Sequence, residues 1–170
     1  MFNLDALVRT NIRTLKPYSS ARDEFKGEAS IFLDANENPF ENGVNRYPDP
    51  QQASVKSVLA NQNGVAINQI LLGNGSDEVL DLLFRAFCEP KEDNVIILPP
   101  TYGMYEVYSN INNVEIKKVS LTQDFQLDVP AILNAVNAKT KLIFICSPNN
   151  PTGNSIDPED IKRIIKGFNG

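Results

Sequence analysis

The thirty residues QILLGNGSDEVLDLLFRAFCEPKEDNVIIL (69–98) decide the fold. Residues 69–72 form a short apolar run that stops at Gly73-Asn74-Gly75, as a strand does when it ends in a tight turn. Over residues 76–88 the apolar side chains Val79, Leu80, Leu83, Phe84 and Phe87 recur at helical spacing. Residues 94–98 (NVIIL) are continuous and rich in β-branched side chains, which fits a strand buried on both faces, and Pro99 and Pro100 end it. Strand, helix and strand joined this closely imply a crossover connection and a parallel sheet.

The alternation continues outward from that stretch. Residues 102–112 read as a helix, 114–119 as a shorter, more polar strand, and 141–146 (KLIFIC) as the clearest strand. Asp128 is the expected N-cap of a helix over 128–136, with Pro130 in its first turn. Asp157-Pro158-Glu159-Asp160 opens a last helix, on which Ile161, Ile164, Ile165 and Phe168 are expected to share a face. That helix stops at Gly167-Phe168-Asn169-Gly170 with no strand after it. The expected fold class is α/β, a mostly parallel sheet with flanking helices over 66–170, incomplete at its end. Residues 1–65 are loop-rich, carry Pro17, Pro39, Pro48 and Pro50, and hold one helix near 51–61. They read as an irregular N-terminal arm and linker.

Composition narrows the chemistry. The chain has 170 residues, of which 42% are hydrophobic and 22% charged, which marks a globular protein. With no histidine, it holds no Ser-His-Asp or Cys-His nucleophile and no histidine-bound zinc. A net charge of -5 argues against nucleic-acid binding. Cys88 and Cys146 lie in apolar runs and read as buried thiols of a reducing compartment, with no metal site expected. No secretory pattern opens the chain and no apolar run is long enough to span a membrane, so a cytoplasmic protein is expected.

In open parallel sheets, ligands collect beyond the carboxyl ends of the strands, where helix starts present free N–H groups. Three connections stand out. In LLGNGSDE (71–78), Gly73 and Gly75 permit a tight turn, and the N–H groups of Gly75, Ser76 and Asp77 open a helix, which makes an anion site. An ordinary glycine turn capped by Ser76 or Asn74 is the alternative. The anion-site reading requires the side chains of Asp77 and Glu78 to point away from the phosphate. In PPTYGMY (99–105), Tyr102 offers an aromatic face to a planar ligand, or packs in the core. In SPNNPTG (147–153), asparagines held between prolines can present an amide at a set angle, and Asn150-Pro151 is a candidate cis bond.

Together these describe a site for a flat, phosphorylated aromatic cofactor. The chain resembles the amino-terminal half of the fold-type-I pyridoxal-phosphate aminotransferases, most closely their histidinol-phosphate branch. Motifs in family order carry the resemblance: LKPYSSAR (15–22), LDANENPF (33–40), NRYPDP (45–50), LLGNGSDE, PPTYGMY and SPNNPTG. The resemblance implies that Gly75, Ser76 and Asp77 hold the cofactor phosphate, Tyr102 stacks on the pyridine ring, and Asn150 donates to its phenolic oxygen. It implies a homodimer in which Tyr47 reaches the partner's cofactor. Tyr18 and Asn36, in the Asn36-Glu37-Asn38 loop, would border a phosphorylated amino-alcohol substrate. It further implies that the Schiff-base lysine and the acid paired with the pyridinium nitrogen lie beyond residue 170, so this chain alone is expected to be inactive. Two other readings stay open: another type-I enzyme resembling threonine-phosphate decarboxylase, and a non-catalytic half-domain that binds or assembles.

Overall fold

The computed structural model of the protein describes residues 3–25 and 27–168. The helices are α1 (Leu4–Leu7), α2 (Thr10–Arg13), α3 (Ala21–Glu24), α4 (Ala53–Asn63), α5 (Ser76–Phe87), α6 (Met104–Ile111), α7 (Val129–Ala135) and α8 (Pro158–Gly167). The strands are β1 (Asn94–Ile97), β2 (Glu115–Lys118) and β3 (Thr140–Ile143). Two compact units form: one takes the chain up to Thr14 and again from Gly73 onward, the other is Leu15–Leu72. The division falls elsewhere than at 65/66, because the opening residues belong with the α/β unit. There the Arg9 N–H donates to the Ala86 carbonyl at 2.9 Å, and its guanidinium donates to both Glu89 carboxylate oxygens at 2.9 and 3.1 Å.

In the α/β unit the strand order is β2-β1-β3, and both pairings are parallel. β1 is central because all four of its residues are buried, whereas β2 carries Glu115, Lys117 and Lys118 at an edge. The pleat sends alternate β1 side chains to opposite faces. Val95 and Ile97 join Phe84 of α5, Tyr105 of α6, Cys88, Val114 and Phe144 in one cluster. Ile96, with Leu98, joins Ile132 of α7, Ile164 of α8, Leu127, Val129 and Ile156 in the other. Helices therefore cover both faces of the sheet. Phe84, Val95, Ile96 and Ile132 are at most 1% exposed, and each such side chain contributes about 1.5–3 kcal/mol by burial.

The expected caps are made. The Asp128 carboxylate accepts from the Ala131 N–H at 3.0 Å and that of Asp157 from the Glu159 N–H at 2.8 Å. Three expectations need correction. Residues 70–72 make no strand: Ile67–Gln69 is a 3₁₀ turn, Ile70 is extended, and no described residue pairs with the segment. An extended run becomes a strand only against a neighbour that takes up its N–H and C=O groups. On α8, Ile164 is buried but Ile165 is 68% exposed, because the turn of the helix carries it off the face toward the sheet. Cys88 is buried, as expected, whereas Cys146 is only half-buried. The last helix ends at Gly167 with Phe168 extended, within the stretch Gly167-Phe168-Asn169-Gly170 where its stop is expected, and Asn169 and Gly170 lie outside the described residues.

In the unit Leu15–Leu72, α4 starts where the sequence RYPDP provides a cap: the Asp49 carboxylate accepts from the N–H groups of Gln51 (2.8 Å) and Ala53 (2.7 Å). Among the described residues, no helix is long and apolar enough to cross a membrane.

Candidate functional site

The site of the α/β unit is built on the start of α5. Gly75 is its N-cap at φ +80°, ψ 171°, a conformation open to glycine, which has no side chain to cap the helix start. A Cβ added at Gly75 would meet nothing within 4 Å, so the space before the helix is open. The Gly75 N–H itself closes the turn onto the Gly73 carbonyl at 2.9 Å, which leaves Ser76 and Asp77 to present the outward N–H groups. Gly73 is needed for room, since a Cβ there would lie 2.9 Å from the Val79 side chain.

The two acids of this turn are both engaged elsewhere. The Glu78 carboxylate turns back to accept from the backbone N–H and side-chain amide of Asn74. Asp77 accepts the Tyr102 hydroxyl at 3.1 Å (Oδ1) and 3.3 Å (Oδ2). That bond joins the α5 start to the loop after β1. It also holds the Tyr102 hydroxyl above the ordinary tyrosine range, mainly through the hydrogen bond to Asp77 and next through desolvation. The Tyr102 ring is buttressed from behind: it meets Tyr105 edge-on at 5.6 Å, Tyr105 stacks on Phe144 at 4.7 Å, and Phe144 on Phe84 at 5.2 Å. An aromatic column thus runs from the core to the site.

The third part is the loop between β3 and α8. Asn150 is exposed, and the Asn150-Pro151 bond is cis, as are Ser147-Pro148 and Pro99-Pro100. The amide turned inward is that of Asn149, 4% exposed, which donates to the Pro100 carbonyl at 2.9 Å and to Thr152 Oγ1 at 2.7 Å. Sequence reasoning missed this residue. The Asn149-Asn150 doublet was the signal, but composition cannot say which amide faces inward.

Gly75, Ser76, Asp77 and Tyr102 are therefore brought together, and Asn150 sits on a loop tied to the residues just before Tyr102. The other three predicted residues lie in the unit Leu15–Leu72. Asn36 and Tyr47 line one groove of about 200 Å³ with Glu37, Asn38, Asn45 and Arg46. Tyr18 is 91% exposed and Tyr47 67% exposed. Glu37 organises this groove. Its carboxylate accepts from the Tyr47 N–H at 2.8 Å and from the guanidinium groups of Arg22 and Arg46, each at 3.1 Å. Arg22 also chelates Asp34 at 2.7 and 2.8 Å and lies 4.3 Å from the centre of the Phe32 ring. The Tyr47 N–H above all, and then the two guanidinium groups, hold Glu37 below the usual carboxylate range; Arg22 does the same for Asp34.

A phosphate fits the open, uncapped α5 start with its acids turned aside, and a flat ring fits beside the buttressed Tyr102. Among the described residues, no group of acidic or cysteine side chains is placed to hold a metal ion. Residues 31–169 match the family model for aminotransferase class I and II. The chain belongs to the aminotransferase class I and II family. Enzymes of this family depend on pyridoxal phosphate. The chain is 63% identical over 171 residues to a histidinol-phosphate aminotransferase of Christiangramia forsetii, covering 99% of this chain and 49% of the relative. It is 62% identical to one of Flavobacterium johnsoniae, with 99% and 49% covered. The solved structure of N-succinyldiaminopimelate aminotransferase from Mycobacterium tuberculosis superposes with a TM-score of 0.66 at 28% identity, covering 74% of this chain and 35% of that one. The chain spans about half the length of the curated relatives it matches.

Proposed function

We propose that this chain forms the first half of a pyridoxal-phosphate-dependent histidinol-phosphate aminotransferase, a cytoplasmic homodimer that converts histidinol phosphate and 2-oxoglutarate to imidazole-acetol phosphate and glutamate. The observation that carries the substrate is the 63% identity, over almost all of the chain, to a relative of that name. The supporting geometry is the bare α5 start with Tyr102 held against it.

Each residue then has a task. The N–H groups of Ser76 and Asp77 and the Ser76 hydroxyl bind the cofactor phosphate, with the helix dipole favouring the anion. Gly75 contributes the backbone turn that opens the space. Tyr102 stacks on the ring and, through its hydroxyl, keeps the Asp77 carboxylate turned from the phosphate. Asn150 donates its amide to the ring's phenolic oxygen. Tyr47 reaches the phosphate bound by the partner subunit, while Tyr18 and Asn36 border the substrate. The bound cofactor supplies an electron sink and a carrier for the amino group.

The test is an assay of the whole enzyme with histidinol phosphate and 2-oxoglutarate, following glutamate formation. Glutamate formed in proportion to histidinol phosphate consumed is the expected result. Carbon dioxide released from threonine phosphate, with no glutamate formed, would assign the chain to the decarboxylase-like branch instead.

A further inference from the structure

We propose that Asn149 is the positioning residue of this site: its buried amide staples the β3–α8 loop to the β1–α6 loop and so fixes Asn150 relative to Tyr102. The inference rests on the cofactor roles given above to Asn150 and Tyr102. Asn149 is 4% exposed, and every part of its amide is used. Its Nδ2 donates to the Pro100 carbonyl at 2.9 Å and to Thr152 Oγ1 at 2.7 Å, while Oδ1 accepts the Thr101 hydroxyl at 3.3 Å. Its backbone N–H donates to the Asn154 carbonyl at 2.8 Å, and its carbonyl accepts from the Gly153 N–H at 2.7 Å.

A residue that only shaped its own turn would need only Thr152, Gly153 and Asn154. Pro100 and Thr101 are 49 and 48 positions away in sequence, so the side chain spans two loops. Each anchor is next to a residue given a ring contact: Thr101 precedes Tyr102, and Asn149 precedes Asn150. Consecutive Cα atoms are about 3.8 Å apart across a trans peptide, so a shift at Asn149 passes to Asn150. Tyr102 has its own supports in Asp77 and Tyr105. It is therefore the fixed side of the pair, and Asn150 is the side that Asn149 places. Only an amide meets the demand, because two donors and one acceptor are needed in one short side chain: aspartate lacks the donors, leucine lacks both, and serine is too short.

Pyridoxal-phosphate dissociation from the whole enzyme tests this, with circular dichroism of the bound cofactor and melting of the apoenzyme recorded alongside. Asn149→Ala is expected to raise the dissociation constant about tenfold and to change the cofactor's dichroism. With Asn150→Ala already in place, the same change should matter by less than about twofold, because the contact it positions is gone. Should Asn149→Ala not fold, Thr152→Val removes one acceptor of the staple and is expected to weaken binding about threefold, again only while Asn150 is present. Full additivity of the Asn149 and Asn150 changes, or a lower apoenzyme melting temperature with unchanged cofactor binding, would overturn the proposal. If Asn150→Ala alone leaves binding unchanged, the role given to Asn150 fails first and the staple's purpose fails with it.

Discussion

Gly75 shows how one residue can serve a site without a side chain. Its φ of +80° with ψ 171° is a region that other residues occupy only under strain. Since a Cβ there would touch nothing within 4 Å, Gly75→Ala isolates the backbone effect from crowding. A loss of about 1–3 kcal/mol is expected in urea unfolding, and an unchanged midpoint would contradict it. Tyr102 supplies a second residue-scale expectation. Its hydroxyl donates to the Asp77 carboxylate, which favours the neutral phenol and raises its titration above the ordinary value of 10.0. The folded value lies above the unfolded one, so this contribution to stability is complete below about pH 10 and is lost as pH rises through the raised value. Asp77→Asn should bring one tyrosine back toward ordinary titration, read as the ultraviolet difference between protein and variant; identical curves would refute the coupling. At this scale the sequence revealed the turn glycines and the aromatic at the strand end. It did not reveal that Asp77 and Tyr102, 25 positions apart, are partners, because nothing local records that contact.

Among the elements, legibility followed how local the cause is. The starts of α7 and α8 could be read because Asp128 and Asp157 cap N–H groups only two or three residues away. The strand expected at 69–72 fails for the opposite reason: its pairing depends on a neighbour that the local pattern cannot supply. Asn94 is another non-local case. This polar residue opens β1 fully buried because Asn137 accepts from its amide at 3.1 Å and the Thr140 hydroxyl donates to its carbonyl oxygen at 2.8 Å. On α8, helical spacing grouped Ile164 with Ile165, yet only Ile164 meets the core, at 2% exposure. Ile164→Ala is expected to cost about 2–5 kcal/mol by leaving a cavity, and Ile165→Ala at most about 0.5 kcal/mol. Equal losses in chemical denaturation would mean that α8 is turned differently. Asp157→Ala should cost about 0.5–2 kcal/mol on the same helix through the lost cap.

For the whole molecule, acid sensitivity follows from carboxylates that the fold holds ionised, among the described residues Asp34 and Glu37 in one compact unit and Asp81 and Glu89 in the other. Arg22 chiefly lowers Asp34, and the Tyr47 N–H chiefly lowers Glu37, with Arg46 and Arg22 adding to it. In the α/β unit, the Asn112 amide chiefly lowers Asp81, with Arg85 adding to it, and Arg9 chiefly lowers Glu89. Each folded value lies below the ordinary 3.8 of aspartate or 4.5 of glutamate, so the unfolded chain takes up protons first as pH falls. Their contribution is therefore complete above the ordinary range and is lost as pH drops through the lowered values. Urea midpoints should hold steady from neutrality to about pH 5 and decline below it, and high salt should make the decline shallower only for the part carried by the exposed guanidinium groups of Arg22, Arg46 and Arg85. Glu37→Gln should flatten part of that acid limb, because an amide has no proton to take up there, while lowering stability at neutral pH through the lost ion pairs with Arg22 and Arg46. An acid limb of unchanged steepness in the variant would show that Glu37 is not held ionised by the groove it shares with Asn36 and Tyr47.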